Sequence, residues 1–209
     1  MTKKKPNVLI TGASSGIGEA LARHYAITGA GTLFISGRNR ERLETVKTAC
    51  ERYNVKVYAE VMDVTNRQNT AAWIKKCEEI APLNIVYANA GVATLEETPE
   101  NIYNTFNTNV FGVLNTLIPT VEIFKNRRDK HKTLVITSSI AGYHGLPSCP
   151  SYSASKACVK AYGEALRSEL RQYGIQVSVI CPGFVKSRIT DQNTCPMPFF
   201  MSAEKAAKI

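Results

Sequence analysis

The chain of 209 residues is 44% hydrophobic, which is enough for one domain with a sizeable buried core. It carries 26 Lys and Arg against 17 Asp and Glu, a formal net charge of +9. No apolar run approaches the roughly 18 residues of a membrane helix, and the run after the basic N-terminus is too short for a signal peptide. The six cysteines form neither a C-x-x-C pair nor a metal-ligand pattern, so we expect reduced thiols, a cytoplasmic protein and no metal.

Short apolar runs alternate with longer amphipathic stretches along the chain. Runs rich in β-branched residues predict buried strands at 8–10, 32–36, 55–62, 85–88, 133–137 and 177–181. Helices are predicted at 16–29, 40–53, 66–80, 99–127 and 151–173, with Gly174 as the C-cap of the last and a short helix after Ser202. This alternation favours an α/β fold with a doubly wound parallel sheet between helices, in a single domain over 1–209.

The stretch from Thr11 to Gly18, TGASSGIG, joins the first predicted strand to the first predicted helix. Its glycines permit a tight turn and a close approach of the backbone to a ligand. The N-terminus of the helix that follows favours an anion. The stretch therefore predicts a loop that binds the pyrophosphate of a dinucleotide.

The end of the second strand indicates which dinucleotide binds. An NAD site usually has an acidic residue about 20 residues after the glycine loop, where it binds the ribose 2′-hydroxyl. Here Gly37 and Arg38 occupy that place, and the next acidic residue is Glu41. A guanidinium suits a 2′-phosphate, so we predict NADP(H), with NAD(H) as the second choice. The alternative is that Arg38 simply begins the next helix.

Polar residues follow the fourth and fifth strands, where Asn89-Ala-Gly91 and Ser138-Ser139 stand. Ligands of open parallel sheets bind beyond the carboxyl ends of the strands, so these groups should line one crevice. Asn109 lies in the apolar stripe of the helix at 99–127, where a buried amide must be hydrogen-bonded. It either bends the helix, as Pro119 would, or holds water in an active site.

Tyr152 and Lys156 stand one helical turn apart, separated by small residues in the stretch PSYSASK. If Ser151 caps this helix, both side chains lie on one face. One interpretation is an ordinary helix start. The other is a phenol that transfers a proton, because a neighbouring ammonium lowers its pKa from the usual value of about 10.

Together these motifs resemble those of the short-chain dehydrogenase/reductase family. The resemblance extends from residue 7 to about residue 190, and it is carried by TGASSGIG at 11–18, NAG at 89–91, Asn109, Ser139, Tyr152-x-x-x-Lys156 and Pro182-Gly183. It implies a Rossmann fold and a nicotinamide cofactor. The cofactor-binding residues that it implies are Gly12, Ser14, Ser15, Gly16, Ile17, Gly18, Arg38, Asp63, Val64, Asn89, Ala90, Gly91, Tyr152, Lys156, Pro182, Gly183 and Val185.

The resemblance also implies a catalytic role for four residues. Tyr152 would be the acid/base, and Lys156 would lower its pKa and bind the nicotinamide ribose. Ser139 would orient the substrate oxygen, and Asn109 would hold a relay water. Two departures stand out: Ala88 replaces a common asparagine, and the sequence stops before the family's substrate-covering helix and seventh strand, so we expect that segment to be missing.

We therefore expect an NADP(H)-dependent oxidoreductase that interconverts a small-molecule carbonyl and an alcohol by hydride transfer. The alternative is a catalytically silent, nucleotide-binding regulatory protein, against which the Tyr–Lys pair argues. The resemblance also implies a homodimer or homotetramer, formed by the helices at 99–127 and 151–173. Nucleic acid is not expected as a partner, because no aromatic residues interleave with the basic run at 125–132, which we interpret as a solvated helix end.

Overall fold

The computed structural model of the protein describes residues 5–94, 96–129, 131–193 and 196–209. Within them, six parallel strands form one sheet in the order β3-β2-β1-β4-β5-β6. The strands are β1 (Asn7–Thr11), β2 (Thr32–Gly37), β3 (Lys56–Val61), β4 (Ile85–Ala88), β5 (Lys132–Thr137) and β6 (Ile175–Ile180). The predicted doubly wound parallel sheet is thus confirmed, with its topological switch point between β1 and β4.

Helices cover both faces of the sheet. They are α1 (Gly16–Thr28), α2 (Arg40–Glu51), α3 (Arg67–Ile80), α4 (Pro99–Phe106), α5 (Gly112–Lys125), α6 (Pro150–Leu170) and α7 (Ala203–Ala206). No helix in the described ranges is long and apolar enough to cross a membrane.

The core lies on both sides of the sheet because side chains alternate along each strand. In β1, Val8 and Ile10 pack on one side with Leu43 and Val46 of α2. Leu9, between them, packs on the other side among residues of α3, α5 and α6. Continuous burial of this kind is typical of central strands covered on both faces.

The predicted helix at 99–127 is interrupted. A π-helical turn, Asn107–Phe111, separates α4 from α5, and Asn109 lies within it. Pro119 lies inside α5, well beyond the interruption. The irregularity therefore falls at the buried amide and not at the proline, in keeping with the frequent occurrence of π-turns at functional sites.

The ends of α6 differ in how well the sequence predicts them. Gly174 adopts the left-handed conformation, with φ of 65°, and closes the 3-10 turn that follows the helix, as predicted. The prediction that Ser151 is the N-cap is wrong. Cys149 occupies that position and Pro150 begins the helix, because proline has no N–H and suits the first helical turn.

The basic run at 125–132 is largely taken up by contacts within the protein. Arg127 forms ion pairs with Glu78 and Asp129. Lys132 is 2% exposed, and its ammonium donates hydrogen bonds to three backbone carbonyls, those of Phe124, Arg127 and Tyr173. Our interpretation of the run as a solvated helix end is therefore wrong for these two residues. Lys130 lies outside the described residues.

Candidate active site

A cavity of about 390 Å³ opens at the carboxyl ends of the strands. Every predicted cofactor-binding residue lines it, and so does Ser139. Asn109 lies directly behind Gly91, where a Cβ on that glycine would come within 3.2 Å of both Asn109 Oδ1 and Lys156 Nζ. The fold thus brings all the predicted site residues to one place.

The glycine loop is shaped by close backbone contacts. Gly12 has a φ of +69° and Gly16 a φ of +57°, a region that favours glycine. A Cβ on Gly18 would lie 2.3 Å from the carbonyl oxygen of Gly12 and 2.6 Å from Asn89 Nδ2. The loop therefore folds back tightly before α1, whose N-terminus supplies the unpaired N–H groups that suit a phosphate.

Asn89 ties together the ends of three strands. Its side chain donates to Thr11 O at 3.0 Å and accepts from Thr137 Oγ1 at 3.2 Å. Its backbone N–H donates to Thr11 Oγ1 at 3.0 Å. Asn89 therefore holds β1, β4 and β5 in register at the floor of the cavity as well as lining it.

Lys156 is 3% exposed, and its ammonium donates a 2.9 Å hydrogen bond to the carbonyl oxygen of Thr137. Its Nζ lies 5.7 Å from the centre of the Tyr152 ring. Burial lowers the pKa of Lys156 from 10.5 to about 8, while Cys181 acts in the opposite direction. No acidic side chain forms a salt bridge with it among the residues that the structure describes.

Burial raises the pKa of Tyr152, since the phenolate loses its hydration in the cavity wall. The hydroxyl of Ser139 acts in the opposite direction, and Cys149 adds to the rise. Ser139 and Tyr152 are therefore close enough to influence each other. The lowering of the Tyr152 pKa by Lys156, which the resemblance implies, stays a prediction.

Asn109 is fully buried and joins the π-turn to the rest of the site. Its Oδ1 accepts from Val92 N at 2.8 Å, and its Nδ2 donates to Val92 O at 2.9 Å and to Ser155 Oγ at 3.0 Å. Ser155 Oγ in turn donates to the backbone oxygen of Tyr152 at 2.7 Å. The amide thus links the loop after β4 to the helix that carries Tyr152, while its role in holding water stays a prediction.

Several cavity residues were missed by the sequence analysis. They include Arg42, Thr108, Ser187 and Arg188. A β-bridge joins Val185 to Met201 in the segment after β6. In the same segment, Ser187 lies against the glycine loop, because a Cβ on Gly16 would come 3.0 Å from Ser187 Cβ. Of these residues, Arg42 could have been suspected from the sequence, because it belongs to the basic stretch that begins at Arg38.

The cavity fits a nucleotide with phosphate groups. The loop has glycine at positions 12, 16 and 18, where a side chain would collide with neighbouring atoms, so its backbone stays open to a ligand. Arg42 Nε and Thr108 Oγ1 are buried and have no hydrogen-bond partner among the described residues, although both residues line the cavity. An unsatisfied buried polar group costs about 1–3 kcal/mol, so these atoms suit a polar ligand.

This cavity lies at the switch point of a doubly wound sheet, which is where Rossmann-type folds bind dinucleotides. The sequence profile of the short chain dehydrogenase family matches residues 6–196, and the chain belongs to that family. An "uncharacterized oxidoreductase" of Myxococcus xanthus is 37% identical over 206 residues, which cover 96% of this chain and 80% of the relative.

Solved structures show the same fold. A short-chain dehydrogenase from Sphingobium yanoikuyae in complex with NADPH is 27% identical, with a TM-score of 0.87 over 97% of this chain and 82% of that chain. A short chain dehydrogenase from Mycobacterium paratuberculosis bound to NAD is 24% identical, with a TM-score of 0.84 over 99% and 90%. Both complexes contain a nicotinamide cofactor. The two cofactors differ at the adenosine ribose, where NADPH carries a 2′-phosphate and NAD a 2′-hydroxyl.

Proposed function

We propose that the protein is an NADP(H)-dependent oxidoreductase that interconverts a carbonyl and an alcohol, with Tyr152 as the general acid/base. The observation that carries this proposal is that Tyr152, Lys156 and Ser139 line the same cavity as the glycine loop. Membership of the short chain dehydrogenase family supports it.

Each residue has a defined task in the proposed reaction. Tyr152 donates its phenolic proton to the carbonyl oxygen in reduction and takes it back in oxidation. Ser139 hydrogen-bonds the same substrate oxygen, and its effect on the Tyr152 phenol supports that position. Lys156 binds ribose hydroxyls and stabilises the phenolate through its charge. When bound, the nicotinamide supplies or accepts the hydride.

A pKa of about 8 suits Lys156 to this task, because the side chain is still mostly charged at neutral pH. Asn109 fixes the loop after β4 against Ser155, which touches the backbone of Tyr152. We infer that Asn109 holds the relay water. Its Oδ1 accepts one hydrogen bond, from Val92 N, and an amide oxygen can accept a second one.

The preference for NADP(H) is inferred from Arg38. This arginine follows β2 directly, and its guanidinium lies 3.8 Å from the carboxylate of Asp63. The family resemblance implies that Asp63 contacts the adenine. No acidic residue stands at the end of β2 to repel a 2′-phosphate. We expect NADPH to bind at least about tenfold more tightly than NADH, a difference of about 1.4 kcal/mol.

Fluorescence titration of both cofactors tests this preference. Equal affinities would reject it, as would an Arg38→Ala variant with an unchanged preference. NADPH consumption with a panel of short, steroid-like and long-chain ketones tests the reaction class and ranks its substrates. A protein that binds NADPH but turns over no member of the panel would revive the silent regulatory alternative.

We also infer a homo-oligomer, a homodimer or a homotetramer. Ala154, Ala157, Ala161 and Ala165 of α6 are all exposed and do not contribute to the core of this chain. Phe111 is 54% exposed and Ile118 is 41% exposed on the neighbouring helical segment. Light scattering that shows only a monomer would reject this inference.

A cytoplasmic location is inferred from the cysteines. The five described cysteines, Cys50, Cys77, Cys149, Cys158 and Cys181, are free thiols, and Cys195 lies outside the described residues. Burial raises the pKa of Cys50 to about 11, which keeps it protonated and unreactive.

A further inference from the structure

Lys156 is attached to the end of β5 through both its side chain and its backbone. Its ammonium donates to the carbonyl oxygen of Thr137 at 2.9 Å. Its own carbonyl oxygen accepts a 2.8 Å hydrogen bond from the hydroxyl of Ser138, the next residue of the chain. Two consecutive residues therefore hold the two ends of Lys156. Ser138 takes no part in the proposed proton transfer, so its bond to α6 needs another explanation.

The Ser138 bond joins two distant parts of the chain. Serine and threonine hydroxyls commonly bond to backbone groups nearby in sequence, as Thr120 does with the carbonyl oxygen four residues before it in α5. The partner of Ser138 is instead 18 residues further along the chain. Ser138 is 2% exposed and Lys156 is 3% exposed, so little water can compete for this bond. The bond therefore fixes α6 against β5 at the position of Lys156.

The backbone around Ser138 is itself held in place. The N–H of Ser138 donates to the carbonyl oxygen of Ile180 at 2.8 Å, and the N–H of Ile140 donates to that of Pro182 at 3.0 Å. The pairing of β5 with β6 thus continues past the ends of both strands, on either side of Ser139. The hydroxyl of Ser138 therefore comes from a backbone that is fixed.

The turn after β5 packs directly on the same bond. A Cβ on Gly142 would lie 3.0 Å from the carbonyl carbon and oxygen of Lys156 and 3.0 Å from Ser138 Oγ. A side chain at position 142 would crowd both partners. Because Gly142 has none, the turn can cover the hydrogen bond, in agreement with the burial of Ser138 and Lys156.

We infer that Ser138 is a positioning residue, which holds Lys156 at the distance from Tyr152 where its charge stabilises the phenolate. This inference rests on the proposed function. The Lys156 ammonium lies 5.7 Å from the centre of the Tyr152 ring. The interaction of two charges weakens as their distance grows. When the Ser138 bond is lost, the backbone of Lys156 is free to move away from β5, and the ammonium stabilises the phenolate less.

The test compares Ser138→Ala with Thr120→Val. Each substitution removes one buried hydroxyl that donates to a backbone carbonyl, but Thr120 lies in α5 and does not line the cavity. For both variants, the pH dependence of oxidation would be measured with NADP⁺ and the alcohol formed from the most reactive ketone of the panel. The kcat of ketone reduction, NADPH affinity and urea denaturation complete the comparison. Ser138→Cys, which has a weaker donor, takes the place of Ser138→Ala if that protein does not fold.

Oxidation requires the phenolate as the base, so its rate rises with pH through the apparent pKa of Tyr152. We expect Ser138→Ala to move this rise to higher pH and to lower kcat by about tenfold, because the phenolate is less stabilised. NADPH affinity should change much less than the rate. Thr120→Val should keep the wild-type profile and kcat, although it lowers the free energy of unfolding.

A Ser138→Ala enzyme with wild-type kcat and pH profile would show that the assignment of Ser138 is wrong. A loss of rate with an unmoved profile would also overturn it, since a general structural disturbance has that effect. In both cases the proposed function stands as long as wild type reduces ketones and Tyr152→Phe does not. If wild type turns over no ketone of the panel, the proposed function fails and the assignment of Ser138 fails with it.

Discussion

The carboxylate of Glu97 accepts two hydrogen bonds from Ser151, one from its backbone N at 3.1 Å and one from its Oγ at 2.8 Å. Cys149, the N-cap of α6, makes no capping hydrogen bond with its side chain to any described residue. A residue of the loop after β4 therefore caps the helix that carries Tyr152. A carboxylate at this position also complements the dipole of the helix.

Removal of this cap should destabilise the protein. We expect Glu97→Ala to lower the free energy of unfolding by about 1–2 kcal/mol, because two donors at the start of α6 lose their acceptor. Glu97→Gln should lose less, since its amide oxygen still accepts. Urea denaturation measures both, with Glu96→Ala as the control, because the Glu96 side chain is exposed. Equal losses for Glu96→Ala and Glu97→Ala would show that the contact does not stabilise the helix.

The glycine loop gives a second prediction through its close contacts. Gly18→Ala should abolish cofactor binding or prevent folding, because the new Cβ would lie 2.3 Å from the carbonyl oxygen of Gly12. Gly145→Ala is the matched control, since nothing lies within 4 Å of its Cβ position. Thermal unfolding and NADPH titration of both variants measure the effect. A Gly18→Ala protein with wild-type affinity and stability would show that the loop geometry is wrong.

The sheet could be predicted well from the sequence. Central parallel strands are buried on both faces, so they appear in the sequence as continuous apolar runs. Val8–Ile10 and residues 133–137 are clear examples. The glycine loop and the Tyr152–Lys156 pair could be predicted because each function requires a local spacing along the chain.

Features that depend on contacts between distant segments could not be predicted. The π-turn holds Asn109, whose side chain bonds to Val92 and Ser155, and both partners are remote in sequence. The cap of α6 comes from Glu97, so the serine beside Tyr152 misled the local analysis. The sequence showed only that Arg42 belongs to a basic stretch. That Arg42 lines the cavity became evident only from the structure.

The buried ammonium of Lys156 predicts a dependence of stability on pH. Its pKa is lowered from 10.5 to about 8, so the folded protein binds fewer protons at this site than the unfolded chain between those values. The contribution of Lys156 to stability should therefore rise as the pH increases from about 8 to 10.5, by up to roughly 3 kcal/mol over the full range.

Chemical denaturation of wild type and Lys156→Met across this pH range measures the effect, because groups remote from Lys156 titrate equally in both proteins. The difference in unfolding free energy between wild type and variant should shift in favour of wild type as the pH rises. A difference that is constant with pH would mean that Lys156 keeps an ordinary pKa in the folded protein.

The central claim is that Tyr152 transfers the proton, and Tyr152→Phe tests it most directly. The change removes one oxygen from a ring held in the cavity wall, so NADPH affinity should change by no more than a few-fold. The rate of ketone reduction under conditions where chemistry is limiting should fall by about 10²–10⁴-fold, mainly in kcat. Lys156→Ala should weaken cofactor binding as well as the rate, and Tyr53→Phe, at an exposed tyrosine outside the cavity, should leave both unchanged. A Tyr152→Phe enzyme that retains more than about a tenth of the wild-type rate would contradict the proposed mechanism.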